Sequence, residues 1–432
     1  MTVRARSNIF GSFVLAGGRV LGALFQFFII IQAAKYLSIE NSGEYLRYLT
    51  WMNVAIALGQ FGYVILAQRL IARFKEHSIY SDLRVTGILS FVLLISSIFG
   101  SLFGIIISYY GDLRSSIYLI VFCSVIWVIG GAVSQVAAEL LRVKNKFIPS
   151  AITVITGPML ICLSVLAGNY FHLIESIASW VIVSSISFLF STLISLHFIL
   201  KTFPVGVGQH FRVIRVGFRF GRRLIHDAYR SLFTSLGGVA FSQIDLWILS
   251  ITLKADEFAI YAIGARFAQL VSFFSAISNP IVTPIITRKL INDGLKTTQQ
   301  FLFRYNIFAT ILGIIFFAAL LTFGKFLFLY LFGRNFADAG VIGTILCIPA
   351  ILNLCTGPKG YLLWLLGNDF IVLKFLTISS IAIAVACFIT GSSGSLVLIA
   401  AFVSSIQVLY FFCEIVLLRR LVGLRVFHGL IK

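Results

Sequence analysis

Four charged residues stand in stretches that otherwise read as hydrocarbon-facing helix: Arg19 in GGRVLGALFQFFIIIQAAKYL, Asp245 in SQIDLWILS, Arg266 in AIGARFAQL and Lys359 in TGPKGY. A guanidinium offers a fork of donors that matches the paired oxygens of a carboxylate or phosphate, whereas an ammonium is a point charge on a flexible stem. An intramembrane carboxylate is the residue type that carries protons or metal cations across. Three deep cations against one deep carboxylate is therefore a pattern for holding an anion. Arrangements for bond-making chemistry are missing from the sequence. None of the six histidines sits in H-E-x-x-H, none of the six cysteines forms C-x-x-C, and no G-x-x-x-x-G-K-[ST] loop occurs. The chain reads as a non-enzyme with no cofactor and no metal site.

Such charges need elements that hold them in a membrane. Of the 432 residues, 59% are apolar and only 11% charged, against roughly a quarter charged in soluble domains. Apolar runs near the ~20 residues that cross a bilayer recur throughout. They predict twelve spans, over 9–37, 47–67, 85–109, 116–141, 148–168, 174–200, 224–251, 258–286, 305–330, 340–366, 371–390 and 395–418. The basic leader MTVRARSN precedes an apolar stretch too long for a signal-peptide core and reads as the start of the first span. The expected fold class is an all-α polytopic membrane protein. Its expected parts are an N-terminal six-helix bundle (1–200), a basic cytoplasmic amphipathic linker (201–223) and a C-terminal six-helix bundle (224–432).

Orientation follows from lysine and arginine, which accumulate on the cytoplasmic side. With the N-terminus inside, 24 of the 34 basic residues fall in cytoplasmic segments and six in outer ones. Both termini are thus expected in the cytoplasm. The same asymmetry accounts for most of the net charge of +19 without a nucleic-acid partner. The linker sequence QHFRVIRVGFRFGRR places arginines on one helical face, either to gather anionic lipid headgroups or simply as a surface segment obeying the charge rule.

Depth gives each intramembrane charge its alternatives. Arg19 lies ten residues into its predicted span, about 15 Å from the inner end, too deep for easy snorkelling. It must face a wet cavity or pair with a neighbouring helix. Asp245 and Arg266 lie at similar depth near the outer ends of spans seven and eight, so they either pair with each other or act separately. If separate, Arg266 lines a cationic cavity and Asp245 couples transport to protons or sodium. Lys359 follows Gly357 and Pro358, which predict a kinked helix, and either lines a cavity or snorkels about 10 Å to the inner surface. Asn279, Pro280, Thr283 and Pro284 predict a similar distortion in span eight. Glu139 is expected to pair locally with Arg142, Asp227 with Arg230, and Glu414 to reach Arg419 or solvent.

The two halves share a pattern. YLSIENSGEY and TLKADEFAIY follow the first span of each half, matching Leu37, Glu40 and Tyr45 to Leu253, Asp256 and Tyr261 at one offset. With six spans per half, both halves enter the membrane in the same direction, a parallel repeat.

The sequences AAKYLSIENSGEYLRYLTWMNVAIALGQFGYVILAQRLIARF and SQIDLWILSITLKADEFAIYAIGARFAQLVSF resemble the corresponding regions of polysaccharide-repeat-unit (Wzx-type) flippases of the multidrug/oligosaccharidyl-lipid/polysaccharide exporter superfamily. The resemblance implies two six-helix bundles forming a V around a central cavity. It implies movement of undecaprenyl-pyrophosphate-linked oligosaccharides, O-antigen or capsule units, from the inner to the outer leaflet of the bacterial cytoplasmic membrane. Under it, Arg19, Arg266 and Lys359 are the expected cationic cavity residues, Asp245 is an ion-coupling group or structural partner, and other polysaccharide assembly proteins are expected partners. The alternative within the superfamily is a cation-coupled multidrug exporter, whose cavity should favour carboxylates. A glycan polymerase or ligase would need long outer loops, and those here are about ten residues or fewer.

Overall fold

The computed structural model describes residues 3–63, 79–110, 117–171, 174, 176–203, 232–233, 236–391 and 394–426. All the regular structure among them is helical: α1 (Val3–Tyr36), α2 (Ile39–Gly59), α3 (Ile79–Tyr110), α4 (Ile117–Val143), α5 (Phe147–Tyr170), α6 (Ile177–Thr202), α7 (Leu236–Thr252), α8 (Ala255–Asn292), α9 (Gly294–Phe332), α10 (Ala339–Cys355), α11 (Lys359–Leu365), α12 (Asp369–Gly391) and α13 (Leu396–Val422), with one 3-10 turn at Arg334–Phe336. The predicted spans map onto these in order, α10 and α11 together forming the tenth. Eight of the described helices are long and apolar enough to cross a membrane. Most of the basic linker, with Asp227, Arg230 and the start of span seven, lies outside the described residues.

By contacts the chain divides into one unit of Met1–Leu37 and Glu44–Val239 and another of Ser38–Gly43 and Ala240–Lys432. In the first, α4 is the central helix, packed against α3, α5 and α6, while α1 packs on α5. Small residues permit this: a Cβ on Gly100 would lie 2.7 Å from Val125 Cα, and one on Gly130 2.7 Å from the Phe188 carbonyl. Close backbone approach is how helices associate in lipid, where apolar burial alone gives little preference for protein over acyl chain. Hydroxyls tie the layers further. Tyr45 and Tyr48 stack edge-on against Trp180 and Trp127 and reach Ser184 and Ser124 at 3.3 and 3.1 Å.

In the second unit α10 is central, against α8, α9 and α13. Gly264 and Gly343 bring α8 and α10 together, and Phe267 and Phe328 pack beside them, 4.9 Å between rings. The outward faces are oily: Phe308, Ile314, Ile315, Phe323 and Phe326 of α9 are all exposed, as lipid requires. α8 continues through Pro280 and Pro284 to Asn292, so the distortion expected there does not end the helix.

The internal repeat is visible in local geometry. The N–H of Leu37 bonds Ala33 and that of Leu253 bonds Leu249, both at 3.0 Å. α2 then starts at Ile39 and α8 at Ala255, the same offset that separates the two leucines, with Glu40 and Asp256 in the first turns. An acid there complements the positive end of the helix dipole. Tyr45 and Tyr261 are both fully buried.

Candidate functional site

In the first unit the site residue is Arg19 on α1. α1 begins at Val3 and runs through Arg19 to Tyr36. Arg19 Nη2 donates to Glu139 Oε1 at 2.8 Å, and Arg142 Nη1 donates to Glu139 Oε2 at 3.1 Å. Glu139 is thus more than the local partner of Arg142. It sits four residues before the end of α4 and is shared by two cations. Its side chain is 8% exposed, while those of Arg19 and Arg142 are 36% and 35% exposed. The amides Gln60 and Gln135 bond to each other, Gln60 Nε2 donating to Gln135 Oε1 at 2.6 Å.

Lys359 belongs to a different kind of site. The helix break expected at TGPKGY is present: α10 ends at Cys355, Gly357 adopts φ +71°, and α11 begins at Lys359. That positive φ is cheap only for glycine, and a Cβ at Gly357 would lie 2.6 Å from Asn306 Oδ1. The break turns the ammonium inward. Lys359 Nζ donates to Thr356 Oγ1 at 2.7 Å and Asn353 Oδ1 at 2.9 Å, lies 3.6 Å from Glu414 Oε2, and sits 4.4 Å from the centre of the Phe411 ring. Tyr410 Oη donates to Glu414 Oε1 at 2.7 Å. Glu414 therefore does not go to Arg419 or solvent, as its place near the end of the last span suggested; it is buried and engaged by Lys359 and Tyr410. Neither snorkelling nor an open cavity describes Lys359 in this conformation, since it is 1% exposed.

Asp245 on α7 is buried, and its Oδ2 accepts a hydrogen bond from Tyr261 Oη on α8 at 2.9 Å. Arg266, one and a half turns beyond Tyr261, attracts Asp245 electrostatically and donates through Nη1 to Gln269 Oε1 at 3.0 Å. The structure thus brings Asp245 and Arg266 into one group, with Lys359 in a second group of the same unit and Arg19 in the other unit.

Sequence reading did not find Glu139 as the partner of Arg19, nor Glu414, Tyr410, Asn353 and Thr356 as partners of Lys359. Two signals were present. Tyr410 and Glu414 are spaced i,i+4 on one helical face, and Gly360 beside Lys359 marks a close approach, since a Cβ there would lie 2.5 Å from Glu414 Oε1.

The family described as polysaccharide biosynthesis protein matches residues 10–289, well over half of the chain. Among solved structures, a MATE protein in the straight conformation aligns with a TM-score of 0.65 at 13% identity, covering 96% of each chain. The lipid II flippase MurJ in an inward closed conformation aligns at 0.62 and 14%, over 95% of this chain and 87% of that one. A Vibrio cholerae MATE transporter aligns at 0.59 and 13%, over 98% of each. At these identities the likeness is one of fold, an all-α membrane-transporter fold seen in the MOP superfamily. No curated protein matches the sequence.

Proposed function

Because this chain belongs to the polysaccharide biosynthesis protein family, we propose that it is a Wzx-type flippase carrying undecaprenyl-pyrophosphate-linked oligosaccharide repeat units from the inner to the outer leaflet of the bacterial cytoplasmic membrane. The observation that supports this reading is the partly exposed, net-cationic group of Arg19 and Arg142 about one buried carboxylate. The excess of basic residues supports a cytoplasmic position for that end of the first unit, with Lys144 and Lys146 in the next turn, where a diphosphate headgroup made in the cytoplasm would be presented. A guanidinium suits such a headgroup by charge and by fork geometry.

In this reading Arg19 contacts phosphate directly. Arg266 and Lys359 supply further positive potential along the path when their present contacts open during alternating access. Asp245 is the group through which a proton or sodium gradient acts. No bond of the cargo is broken. The multidrug-exporter reading needs exposed carboxylates for organic cations, and Glu139, Asp245 and Glu414 are all buried and engaged.

The test is the sidedness of lipid-linked intermediates in cells carrying Arg19→Ala at normal expression. Accumulation on the cytoplasmic face is expected. Wild-type flux in that strain removes Arg19 from the site. Rescue by Arg19→Lys shows that charge suffices, and failure of Lys shows that the fork is needed.

A further inference from the structure

The Arg19, Glu139 and Arg142 group has a form that helix packing alone does not require. The two guanidiniums come from different helices and take different oxygens of one carboxylate, Oε1 and Oε2. The anion is buried while both cations stay about one-third exposed, so the group carries one net positive charge with its positive members outermost. Arg19 touches Glu139 through Nη2 and Arg142 through Nη1. The frame around them is closely packed. Gly18, next to Arg19, packs so that a Cβ there would lie 2.9 Å from Ala151 Cβ of α5. The N–H groups of Asn145 and Lys146 bond the carbonyls of Arg142 and Leu141, closing a tight turn that adds Lys144 and exposed Lys146. α5 starts at once after that turn, with no side-chain cap from Lys146, so the positive end of a 24-residue helix faces the same region.

We infer that Arg19 and Arg142 together form the first docking site for the diphosphate headgroup, and that Glu139 is an internal placeholder which the phosphate oxygens displace. This assigns Arg142, beyond its local pairing, as a binding residue. The ligand identity rests on the flippase reading above. The physical logic is exchange. A carboxylate between two guanidiniums keeps like charges oriented while no ligand is bound. A diphosphate offers more charge and enough oxygens to fork both arginines at once. The returning carboxylate then competes with the headgroup, so the site does not trap a ligand that has to be released.

The experiment uses the full chain in phosphatidylcholine nanodiscs, with farnesyl diphosphate titrated in, inorganic pyrophosphate in a parallel arm, and phosphatidylglycerol-doped discs in a third. Arg19→Gln and Arg142→Gln should each weaken farnesyl diphosphate binding about tenfold or more, the loss of one charge-assisted hydrogen bond. Glu139→Gln should tighten it by a similar factor, because a competitor has been removed. A structural carboxylate behaves oppositely: Glu139→Gln then weakens binding or leaves it unchanged, which overturns the inference. If Glu139→Gln does not give a monodisperse protein, Glu139→Asp, one methylene too short to bridge both arginines, carries the same expectation. The same variant pattern with inorganic pyrophosphate supports a phosphate-reading site. Equal affinity for phosphatidylglycerol overturns it in favour of a general anionic-lipid contact. Loss of flux in Arg19→Ala with binding insensitive to Arg142→Gln and Glu139→Gln sinks this inference and leaves the flippase reading standing. Variant-sensitive binding by a protein that moves no lipid-linked sugar does the reverse.

Discussion

Lys359 Nζ and Glu414 Oε2 face each other at 3.6 Å with side chains only 1% and 7% exposed, an ion pair enclosed within one unit. Taking two charges out of water is costly, and their attraction offsets this only when remaining donors and acceptors are satisfied. Here Asn353, Thr356 and Tyr410 do that. The pair ties α11, just past the helix break, to α13.

Removing one partner should therefore cost more than removing both. Lys359→Met or Glu414→Leu alone strands a buried charge and should lower stability by about 3 kcal/mol or more. The double variant Lys359→Met with Glu414→Leu should recover most of that loss. Thermal unfolding in detergent across the four-member cycle measures it, and additive losses would show that the two charges act independently.

Gly360→Ala tests the same cluster from the backbone side. Alanine favours a helix by about 1 kcal/mol over glycine, yet its Cβ would lie 2.5 Å from Glu414 Oε1. The carboxylate must swing away, losing a hydrogen bond to a charged group worth about 1.5–3 kcal/mol. A net loss of stability is expected in the wild-type background. In a Glu414→Ala background the same substitution should be neutral or stabilising, and thermal unfolding distinguishes the two.

Much of this architecture is legible in sequence because lipid imposes a simple rule: a span must satisfy its own backbone and show an oily surface. Length and apolarity thus place the helices, and Gly357 with Pro358 marks the break before Lys359 because both residues interrupt regular helix. The repeat was readable from three residues because Tyr45 and Tyr261 fill equivalent core positions after equivalent helix starts. Partners of the buried charges were not readable. Glu139 lies 120 positions from Arg19, and nothing local reports which helix faces which. Glu414 was misassigned because charge near a span end suggests solvent, whereas Gly360 opens room for it inside.

Helix contacts built on glycine predict opposite signs for one substitution at two places. A Cβ at Gly264 would lie 2.9 Å from both the Ala339 carbonyl oxygen and the Gly343 nitrogen, backbone atoms that cannot rotate aside. A Cβ at Gly238 meets nothing within 4 Å. Gly264→Ala should separate α8 from α10 and destabilise by about 1–3 kcal/mol, as overpacking does. Gly238→Ala should be neutral or stabilise by up to about 1 kcal/mol through helix propensity. Parallel melting curves check both, and equal effects would argue against α8 and α10 depending on that close approach.

Asp245 separates a coupling role from a packing role. Its Oδ2 is held by Tyr261 Oη at 2.9 Å, and Arg266 adds an attractive charge. Tyr261→Phe removes only the hydroxyl and should cost about 1.5–3 kcal/mol, the range for a hydrogen bond to a charged group. Asp245→Asn keeps the shape and an acceptor for Tyr261 while abolishing the charge. If Asp245 carries the coupling ion, this variant stays folded and its cargo flux into proteoliposomes no longer responds to an imposed proton or sodium gradient. If Asp245 serves only to neutralise Arg266, Asn leaves that guanidinium uncompensated, so stability falls while the gradient response of the surviving protein is unchanged. Measuring melting temperature and gradient-dependent flux on the same preparation decides between them, and an intact gradient response removes Asp245 from the coupling path.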